Sequence, residues 1–370
     1  MGERTLTDCE CKTITGSVRI DRLELVNGEA LDKVEIAYEQ VGNKNGELII
    51  VCHALTGNQY AKGTEEEKGW WHSFIGPGSY IDTNDYQVIT MNVLGGCNGS
   101  TGPTSLNPDT GEKYGRKFPS VTIRDMVHAQ YLALRKLGYE KAKAVIGGSL
   151  GGMQVLEWGV LYPEYADILI PMAVTPYFTD YALAFNCIGR RAIMTDPLWN
   201  NGDYRENEML KGLEIARMVG LVTYRSAGLF NHRFNRERKH TEDSAMEYQV
   251  DSYMKYQGEK FTRRFDANSY LCLLEAMDQF DIGWKRSGWR QALCRIKRRV
   301  CMIGFSKDLL YPTSMIRETV EELKAHGKSA NYVEVETEFG HDGFLVEFDK
   351  WGFEVKRLLE KKERREVTHV

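Results

Sequence analysis

Short apolar runs alternate with helical patterns in the first half of the chain. Runs at residues 47–52, 86–93 and 143–146 each end in small or polar residues, which is typical of strands buried on both faces. A helical pattern follows Ser149 as far as about Tyr162, and another apolar run covers 168–174. This alternation predicts an α/β fold with a mostly parallel central sheet and flanking helices.

The pattern changes between residues 177 and 295, where no clear strand remains and helical periodicity dominates. Strand patterns return at 299–303 and 332–336, with a helix at 313–325 between them. We therefore expect a core formed by residues 1–176 and 296–370, interrupted by a helical insertion at 177–295.

Composition excludes several classes of partner. The 370-residue chain has a net charge of -4 and a pI of about 6.1, so no basic surface for nucleic acid is expected. No apolar stretch approaches the roughly 18 residues of a membrane helix, and no signal sequence is recognisable. Eight cysteines show no Cys-x-x-Cys pair, and the isolated Cys9-x-Cys11 pair lacks a second pair of ligands. We expect a soluble cytoplasmic protein with reduced thiols, no bound metal and no membrane contact.

The strongest chemical signal is a Gly-x-Ser-x-Gly sequence centred on Ser149, placed between a predicted strand and a predicted helix. Glycines at 147 and 151 permit the tight turn that lifts a serine hydroxyl above the sheet in a nucleophile elbow. The N–H of Leu150 then becomes a candidate donor to an oxyanion. The alternative is an inert serine in a glycine-rich turn.

An acid and a histidine follow Ser149 in the order that such a nucleophile requires. Asp308 comes after the strand that ends near Ile303, and His341 comes after the strand at 332–336. Two other acids, Asp342 and Asp349, lie beside or after the histidine and lack a position directly after a strand. We therefore predict a catalytic triad of Ser149, Asp308 and His341.

The second oxyanion donor is expected in the loop 53–57, directly after the strand at 47–52. The Leu55 N–H is the candidate, while His53 is interpreted as a loop histidine with a hydrogen-bonding role. The glycine-rich loop 92–103 lacks the Lys-Ser/Thr ending of a phosphate-binding loop, so we interpret it as a wall of the active site.

Seven segments together resemble homoserine O-acetyltransferases, and the resemblance spans nearly the whole chain. The segments are 53–57, 92–103, 123–127, 147–153, 216–217 with 223–226, 264–270 and 339–343. The resemblance implies an α/β-hydrolase fold with an inserted helical lid and a homodimer formed through that lid. It also implies ping-pong transfer of an acetyl group from acetyl-CoA through an acyl-serine to L-homoserine in methionine biosynthesis, with acetyl-CoA as co-substrate and no cofactor.

Individual residues take roles from this resemblance. It implies Ser149 as nucleophile, His341 as base, Asp308 as the group that orients His341, and Leu55 and Leu150 as oxyanion donors. Arg217, Tyr224 and Asp342 fall where the family contacts homoserine, and Thr56 is a further candidate for substrate binding.

Arg217 can also be interpreted from its own helix. It shares a helical stripe with Leu210, Leu213 and Leu221, so a charge is present on an otherwise apolar face. A snorkelling or salt-bridged arginine is the alternative to carboxylate recognition.

Other activities remain open at this point. The same triad serves ester hydrolases, and the same motifs occur in homoserine O-succinyltransferases and serine O-acyltransferases. A protein that only binds its ligand would be expected to lack a triad member. The insertion at 177–295 favours a transferase, because an acyl-enzyme intended for another acceptor must be kept from water.

Overall fold

The computed structural model describes residues 13–205, 208–239 and 247–360. The strands are β1 (Ile14–Glu24), β2 (Ala30–Gly42), β3 (Glu47–Cys52), β4 (Ile75–Gly76), β5 (Ile81–Asp82), β6 (Tyr86–Met91), β7 (Ala142–Gly148), β8 (Ala166–Met172), β9 (Arg238–Lys239), β10 (Glu247–Tyr248), β11 (Arg299–Phe305) and β12 (Ala330–Val335). The α-helices are α1 (Ile123–Lys136), α2 (Leu150–Leu161), α3 (Asp180–Met194), α4 (Lys211–Tyr224), α5 (Ala227–Phe234), α6 (Gln249–Thr262), α7 (Ala267–Asp278), α8 (Trp289–Leu293), α9 (Thr313–Ala325), α10 (Gly343–Val346) and α11 (Phe348–Glu360).

Eight strands form the central sheet in the order β1-β2-β6-β3-β7-β8-β11-β12. Strand β2 pairs antiparallel with both β1 and β6, and every pair from β6 to β12 is parallel. The prediction of an α/β fold with a mostly parallel sheet is confirmed.

Apolar layers cover both faces of this sheet. Along β3, Ile50 and Cys52 pack into one layer, and Ile49 and Val51 pack into the other. Burial on both faces explains why this strand appears in the sequence as an uninterrupted apolar run.

The apolar patterns in the sequence did not predict β1 and β2, the antiparallel strands at one edge of the sheet. In β1, Val18, Ile20 and Leu23 are buried while most intervening side chains are exposed. Such a strand has apolar residues on one face only, so its sequence shows a weak alternation and no apolar run.

The described residues of the segment 177–295 contribute no strand to the central sheet and form helices α3 to α8. The expectation of no strand there is wrong in one detail, because β9 and β10 pair antiparallel over two residues each. Two residues are too few to show a period of two in the sequence. A buried ion pair joins the end of this segment to the core, since Arg286 Nη2 lies 2.5 Å from Glu157 Oε1 on α2.

No helix among the described residues is long and apolar enough to span a membrane. The same residues contain no group of three or more His, Cys, Asp or Glu side chains arranged to hold a metal ion. Cys9 and Cys11 lie outside the described residues.

Candidate active site

Ser149 occupies a sharp turn between β7 and α2. Its φ of +59° and ψ of −125° lie in a region that side-chain-bearing residues rarely adopt. The backbone turns closely against the end of β3, and a Cβ atom on Gly151 would lie 2.2 Å from the Cys52 carbonyl oxygen. Glycine is therefore required at 151, and the turn has the geometry of a nucleophile elbow.

Asp308 and His341 form a buried hydrogen-bonded pair. His341 Nδ1 lies 2.8 Å from Asp308 Oδ2, and the other carboxylate oxygen accepts the N–H groups of Leu310 and Tyr311 at 2.9 and 3.0 Å. These contacts fix the carboxylate and leave His341 Nε2 as the ring nitrogen available to take up a proton. The adjacent Asp342 does not compete for this role, because its carboxylate pairs with Arg225.

Aromatic rings enclose His341. Tyr311 stacks on it with ring centroids 5.1 Å apart, and Tyr224 and Phe344 each lie 5.5 Å away. Burial lowers the pKa of His341, but the charge and hydrogen bond of Asp308 more than offset this effect, so the pKa is raised. The pair is therefore suited to hold a proton on His341 during reaction.

Two backbone N–H groups meet the requirement for oxyanion donors. Leu150 is the first residue of α2, and Leu55 lies in the loop after β3; both are buried. Neither N–H donates a hydrogen bond to a described residue. Both donors are therefore available to a substrate oxygen, as an oxyanion hole requires.

His53 holds the loop that carries Leu55. Its Nδ1–H donates to the Ala54 carbonyl at 2.8 Å, and its Nε2 accepts the Val93 N–H at 3.0 Å. Burial lowers its pKa to about 4, so the ring is neutral at physiological pH. His53 thus joins the ends of two neighbouring strands by hydrogen bonds, as the interpretation of a hydrogen-bonding loop histidine expects.

A narrow cavity of about 20 Å³ lies at Ser149, and we refer to it below as the acyl cavity. It is lined mainly by apolar side chains of the segment 177–295, and by no lysine or arginine among the described residues. The lining residues besides Ser149 are Phe178, Phe185, Asn186, Gly189, Ala216, Val219, Gly220, Thr223, Tyr224, Tyr270, Leu274, Met277 and Leu310. The amide of Asn186 already donates to Asp278 at 2.8 Å. The acyl cavity therefore suits a short apolar group.

Arg217 lies on α4, as Ala216 and Val219 do, but it lines a different space, a groove of about 610 Å³ that also contains Thr56. The charged side chains that line this groove are Glu39, Glu67, Lys68, Arg217 and Arg264. We call this space the cationic groove. The guanidinium groups of Arg217 and Arg264 each lie 5.2 Å from the ring centroid of Phe261. Arg264 Nη1 donates to the Thr56 carbonyl at 3.1 Å. No carboxylate of a described residue lies within ion-pair distance of Arg217.

Tyr224 contacts His341 and is close enough to Arg217 and Asp342 to be affected by their charges. Burial raises the pKa of its phenol, and the charges of Arg217 and Asp342 act on it in opposite directions. Its ring also contacts His341. The structure therefore brings Arg217, Tyr224 and Asp342 to one region beside the catalytic base.

Comparison with known proteins identifies the family. Residues 47–348 match the family profile of the α/β-hydrolase fold. The chain is 43% identical over 346 residues to a homoserine O-acetyltransferase of Deferribacter desulfuricans, covering 90% of this chain and 92% of that one. It is 42% identical over 367 residues to one of Carboxydothermus hydrogenoformans, covering 96% and 97%. The chain belongs to the homoserine O-acetyltransferase family.

Solved structures place this member of the homoserine O-acetyltransferase family near both transferases and esterases. A homoserine O-acetyltransferase from Bacillus anthracis superposes with a TM-score of 0.89 at 28% identity, covering 95% of this chain and 98% of that one. Esterase E22 superposes with a TM-score of 0.87 at 27% identity, covering 94% of this chain and 100% of that one. The backbone alone therefore does not distinguish acyl transfer from ester hydrolysis in this family.

Two residues beside this family member's triad were given no role in the sequence analysis. Arg225 Nε lies 2.9 Å from Asp342 Oδ2, and Arg225 Nη1 lies 2.5 Å from the Tyr253 hydroxyl. Arg225 thus fixes one oxygen of the carboxylate that the resemblance assigns to homoserine. Tyr311 stacks on the base and binds the acid through its backbone. Arg225 lies in a segment that resembles the family, so its charge could have marked it as a candidate site residue. Nothing in the sequence around Tyr311 indicated a role for that residue.

Proposed function

We propose that this protein is an L-homoserine O-acetyltransferase that moves an acetyl group from acetyl-CoA to homoserine through acetyl-Ser149. Identity of 42–44% to homoserine O-acetyltransferases over at least 90% of this chain supports the activity. The observation that carries the mechanism is the buried Asp308–His341 pair beside a serine in an elbow turn. No cofactor is needed, because serine, histidine and two N–H groups supply all the required chemistry.

In the first half-reaction, His341 Nε2 takes the proton of the Ser149 hydroxyl while Oγ attacks the thioester carbon. The carbonyl oxygen gains negative charge and is stabilised by the N–H groups of Leu55 and Leu150. The carbon–sulfur bond then breaks, and His341 gives its proton to the departing thiolate. Free CoA and acetyl-Ser149 are the products.

In the second half-reaction, His341 takes the proton of the homoserine hydroxyl, whose oxygen attacks the acetyl carbon. The bond from carbon to Ser149 Oγ breaks, and the proton passes from His341 to Oγ. Because His341 is the base in both steps, acetyl-CoA and homoserine must each bind on the side of the ring that carries Nε2.

The charged groups near Tyr224 support an amino-acid acceptor. An arginine without a carboxylate partner can bind the substrate carboxylate through two parallel bonds, and a carboxylate can bind the ammonium group. Arg217 and Asp342 supply these charges, with Tyr224 between them. Since Asp342 directly follows His341, anchoring the ammonium there brings the side-chain hydroxyl towards the base.

The acyl cavity supports acetyl over succinyl as the group transferred. A succinyl group would place a carboxylate among Phe185, Val219, Leu274 and Met277, with no cation in the lining to pair it. Leaving a carboxylate unpaired in such surroundings is costly. Lys68 and Arg264 in the cationic groove are our candidate contacts for the phosphate-bearing arm of the donor, whereas Arg217 is assigned to the acceptor carboxylate.

An ester hydrolase is the second candidate, because esterase E22 shares the fold closely. Thiol release from acetyl-CoA, followed with and without homoserine, separates the two activities. A transferase releases one equivalent of thiol without an acceptor and turns over when homoserine is added. A hydrolase turns over with water alone. Parallel assays with succinyl-CoA and with serine test the donor and the acceptor.

We propose that residues 177–295 act as a lid and also form a homodimer contact. Helix α4 packs against both α3 and α6. Large apolar side chains are exposed on these three helices, namely Tyr181, Ile188, Ile215, Val222 and Tyr256. Exposed apolar patches of this kind are typical of association sites. Replacing Ile215 by Glu is expected to shift the protein towards monomer in light scattering. A dimer unaffected by this change would contradict the assignment.

A cytoplasmic location agrees with the chemistry of the thiols. The six described cysteines are all free, as expected in a reducing compartment. Two of them are buried, three are partly exposed, and Cys187 is exposed. We propose that the protein works in the reducing compartment in which acetyl-CoA is available.

A further inference from the structure

Tyr311 contacts two members of the triad. It follows Asp308 by three residues in the loop between β11 and α9, and its side chain is fully buried. Its backbone N–H donates to Asp308 Oδ1 at 3.0 Å. Its ring stacks on His341 with an interplanar angle of 23° and packs on Phe178, which lines the acyl cavity. The phenol is therefore enclosed between the catalytic base and the space around Ser149.

The hydroxyl of Tyr311 makes no hydrogen bond of standard length and angle with any described residue. Buried hydroxyls are almost always paired, so an unpaired one lowers stability and requires an explanation. Ser149 is close enough to Tyr311 to influence the pKa of its phenol. Burial raises the pKa of Tyr311 well above its usual value, and the interaction with the Ser149 hydroxyl opposes this shift.

Three polar groups can therefore be assigned to three different reacting positions. The N–H groups of Leu55 and Leu150 are free to bind the carbonyl oxygen of the acyl group, and His341 Nε2 exchanges protons. His341 Nε2–H is the first donor to Ser149 Oγ when that oxygen carries negative charge, and a second donor would stabilise this charge further. The Tyr311 hydroxyl, which is buried without a partner beside the ring of His341, is the side chain best placed to be that donor.

We propose that Tyr311 is a further catalytic residue, whose phenolic O–H donates a hydrogen bond to Ser149 Oγ as negative charge develops on that atom. The proposal rests on the acyl-serine route of the proposed function. In acetylation, Oγ loses its proton to His341 and forms the bond to carbon. In deacetylation, that bond breaks, its electron pair returns to Oγ, and His341 supplies the proton. Tyr311 keeps its own proton throughout, because its phenol ionises only far above neutral pH.

The absence of a standard hydrogen bond from the Tyr311 hydroxyl to a described residue in the free protein agrees with this role. Catalytic hydrogen bonds are often poorly aligned without substrate and shorten when charge develops. A phenylalanine at 311 would provide the same stacking on His341 and the same packing on Phe178 without a buried unpaired hydroxyl. Packing alone therefore explains the ring but leaves the hydroxyl unexplained.

The test is Tyr311→Phe, which removes only the hydroxyl. Its rate of Ser149 acetylation is measured as kcat/KM for nitrophenol release from p-nitrophenyl acetate, and its stability by urea unfolding. We expect kcat/KM to fall about tenfold or more, in line with the loss of one donor to a charged oxygen. We expect the free energy of unfolding to stay the same or to increase, because an unpaired buried hydroxyl has been removed.

Tyr165→Phe is the matched control. Tyr165 is also buried, but its hydroxyl donates to the Tyr139 carbonyl at 2.9 Å, far along the sheet from Ser149. This variant is expected to lose stability and to keep its acetylation rate. The two variants should thus respond in opposite ways.

Two results would overturn the assignment of Tyr311. One is an acetylation rate for Tyr311→Phe within twofold of the wild type. The other is a loss of rate that only accompanies a loss of stability, as packing damage would produce. Because p-nitrophenyl acetate acylates an activated serine whatever the natural donor is, failure of acetyl-CoA or homoserine as substrates would count against the proposed function and leave the result for Tyr311 readable.

Discussion

The acyl cavity and the cationic groove lie on two sides of the same helix and differ in their chemistry. On α4, Ala216, Val219 and Gly220 line the acyl cavity, whereas Arg217 lines the cationic groove. One is small and apolar; the other is large and carries arginines without a carboxylate beside Arg217. In the proposed function, α4 thus separates the space for the acyl group from the charges that recognise the acceptor, so we expect the two to be changed independently.

The largest expected effect comes from removing the acid that orients the base, a change that leaves both spaces intact. Replacing Asp308 by Asn is expected to slow turnover by about 10⁴, because the amide would hold His341 in the wrong tautomer. Substrate binding, measured by calorimetry with CoA, should change little. A loss of less than about tenfold in turnover would move the acid role to another residue.

Arg217→Ala should remove the proposed acceptor contact and leave the other cations of the cationic groove in place. We expect kcat/KM for homoserine to fall by about 2 to 4 kcal/mol in transition-state stabilisation, because a charged contact in a partly desolvated site is lost. The burst of thiol from acetyl-CoA, which reports acetylation of Ser149, should be largely retained. If the burst disappears as it does in Ser149→Ala, Arg217 serves the core chemistry and does not act as an acceptor contact.

Asp342→Ala should give a similar selective loss of kcat/KM for homoserine, but part of this loss could arise through Arg225. Removing this carboxylate also leaves the Arg225 guanidinium without its ion-pair partner at 2.9 Å. Asp342→Asn keeps a hydrogen-bond acceptor for Arg225 while removing the charge. Loss of homoserine use in both variants, with the thiol burst retained, supports a direct role for the charge; loss in the alanine variant alone would indicate that Asp342 positions Arg225.

Val219→Ala should enlarge the acyl cavity. We expect the preference for acetyl-CoA over propionyl-CoA, measured as a ratio of kcat/KM values, to fall about tenfold, since one methylene in an apolar pocket is worth about 1 to 3 kcal/mol. Val222→Ala removes the same atoms from the exposed side of α4 and should leave the ratio unchanged. Equal ratios in the two variants would show that this cavity does not hold the acyl group.

The pH profile gives the smallest expected change. His341 must be neutral to act as a base, and its pKa is raised by Asp308 above the ordinary value of 6.5. Activity should therefore fall as pH decreases through a midpoint above 6.5. In Asp308→Asn the charge is gone and burial lowers the pKa, so the residual activity should persist to lower pH. A midpoint that stays fixed in this variant would contradict the role of Asp308.

Local patterns along the chain predicted most of the core and the strand ends that carry the proposed triad. Ser149 and Asp308 follow strands that are buried along nearly their whole length, and His341 follows β12, a partly exposed strand at the edge of the sheet. Because these strands are parallel, strand detection was enough to place all three residues at one edge of the sheet. Strands β1 and β2 were not detected, because their burial on one face gives only alternation. The Cys9–Cys11 pair lies outside the described residues.

Contacts between distant segments could not be read from local patterns. The cationic groove combines Lys68 with Arg217 and Arg264, and nothing in their sequence neighbourhoods shows that they share a space. The pairing of Asp342 with Arg225 could not be predicted either. Arg217 and Arg225 both lie at α4, and the sequence does not show which of them pairs with Asp342. Only the fold decides which arginine is already paired and which is available to a substrate.

The central claim is that Ser149 carries the acetyl group between donor and acceptor. Intact-mass measurement after exposure to acetyl-CoA alone tests it most directly, followed by peptide mapping and then addition of homoserine. We predict one acetyl adduct on the peptide that contains Ser149, which is lost when homoserine is added as O-acetylhomoserine forms. Absence of the adduct in a protein that turns over only when both substrates are present would indicate direct transfer in a ternary complex and contradict the account.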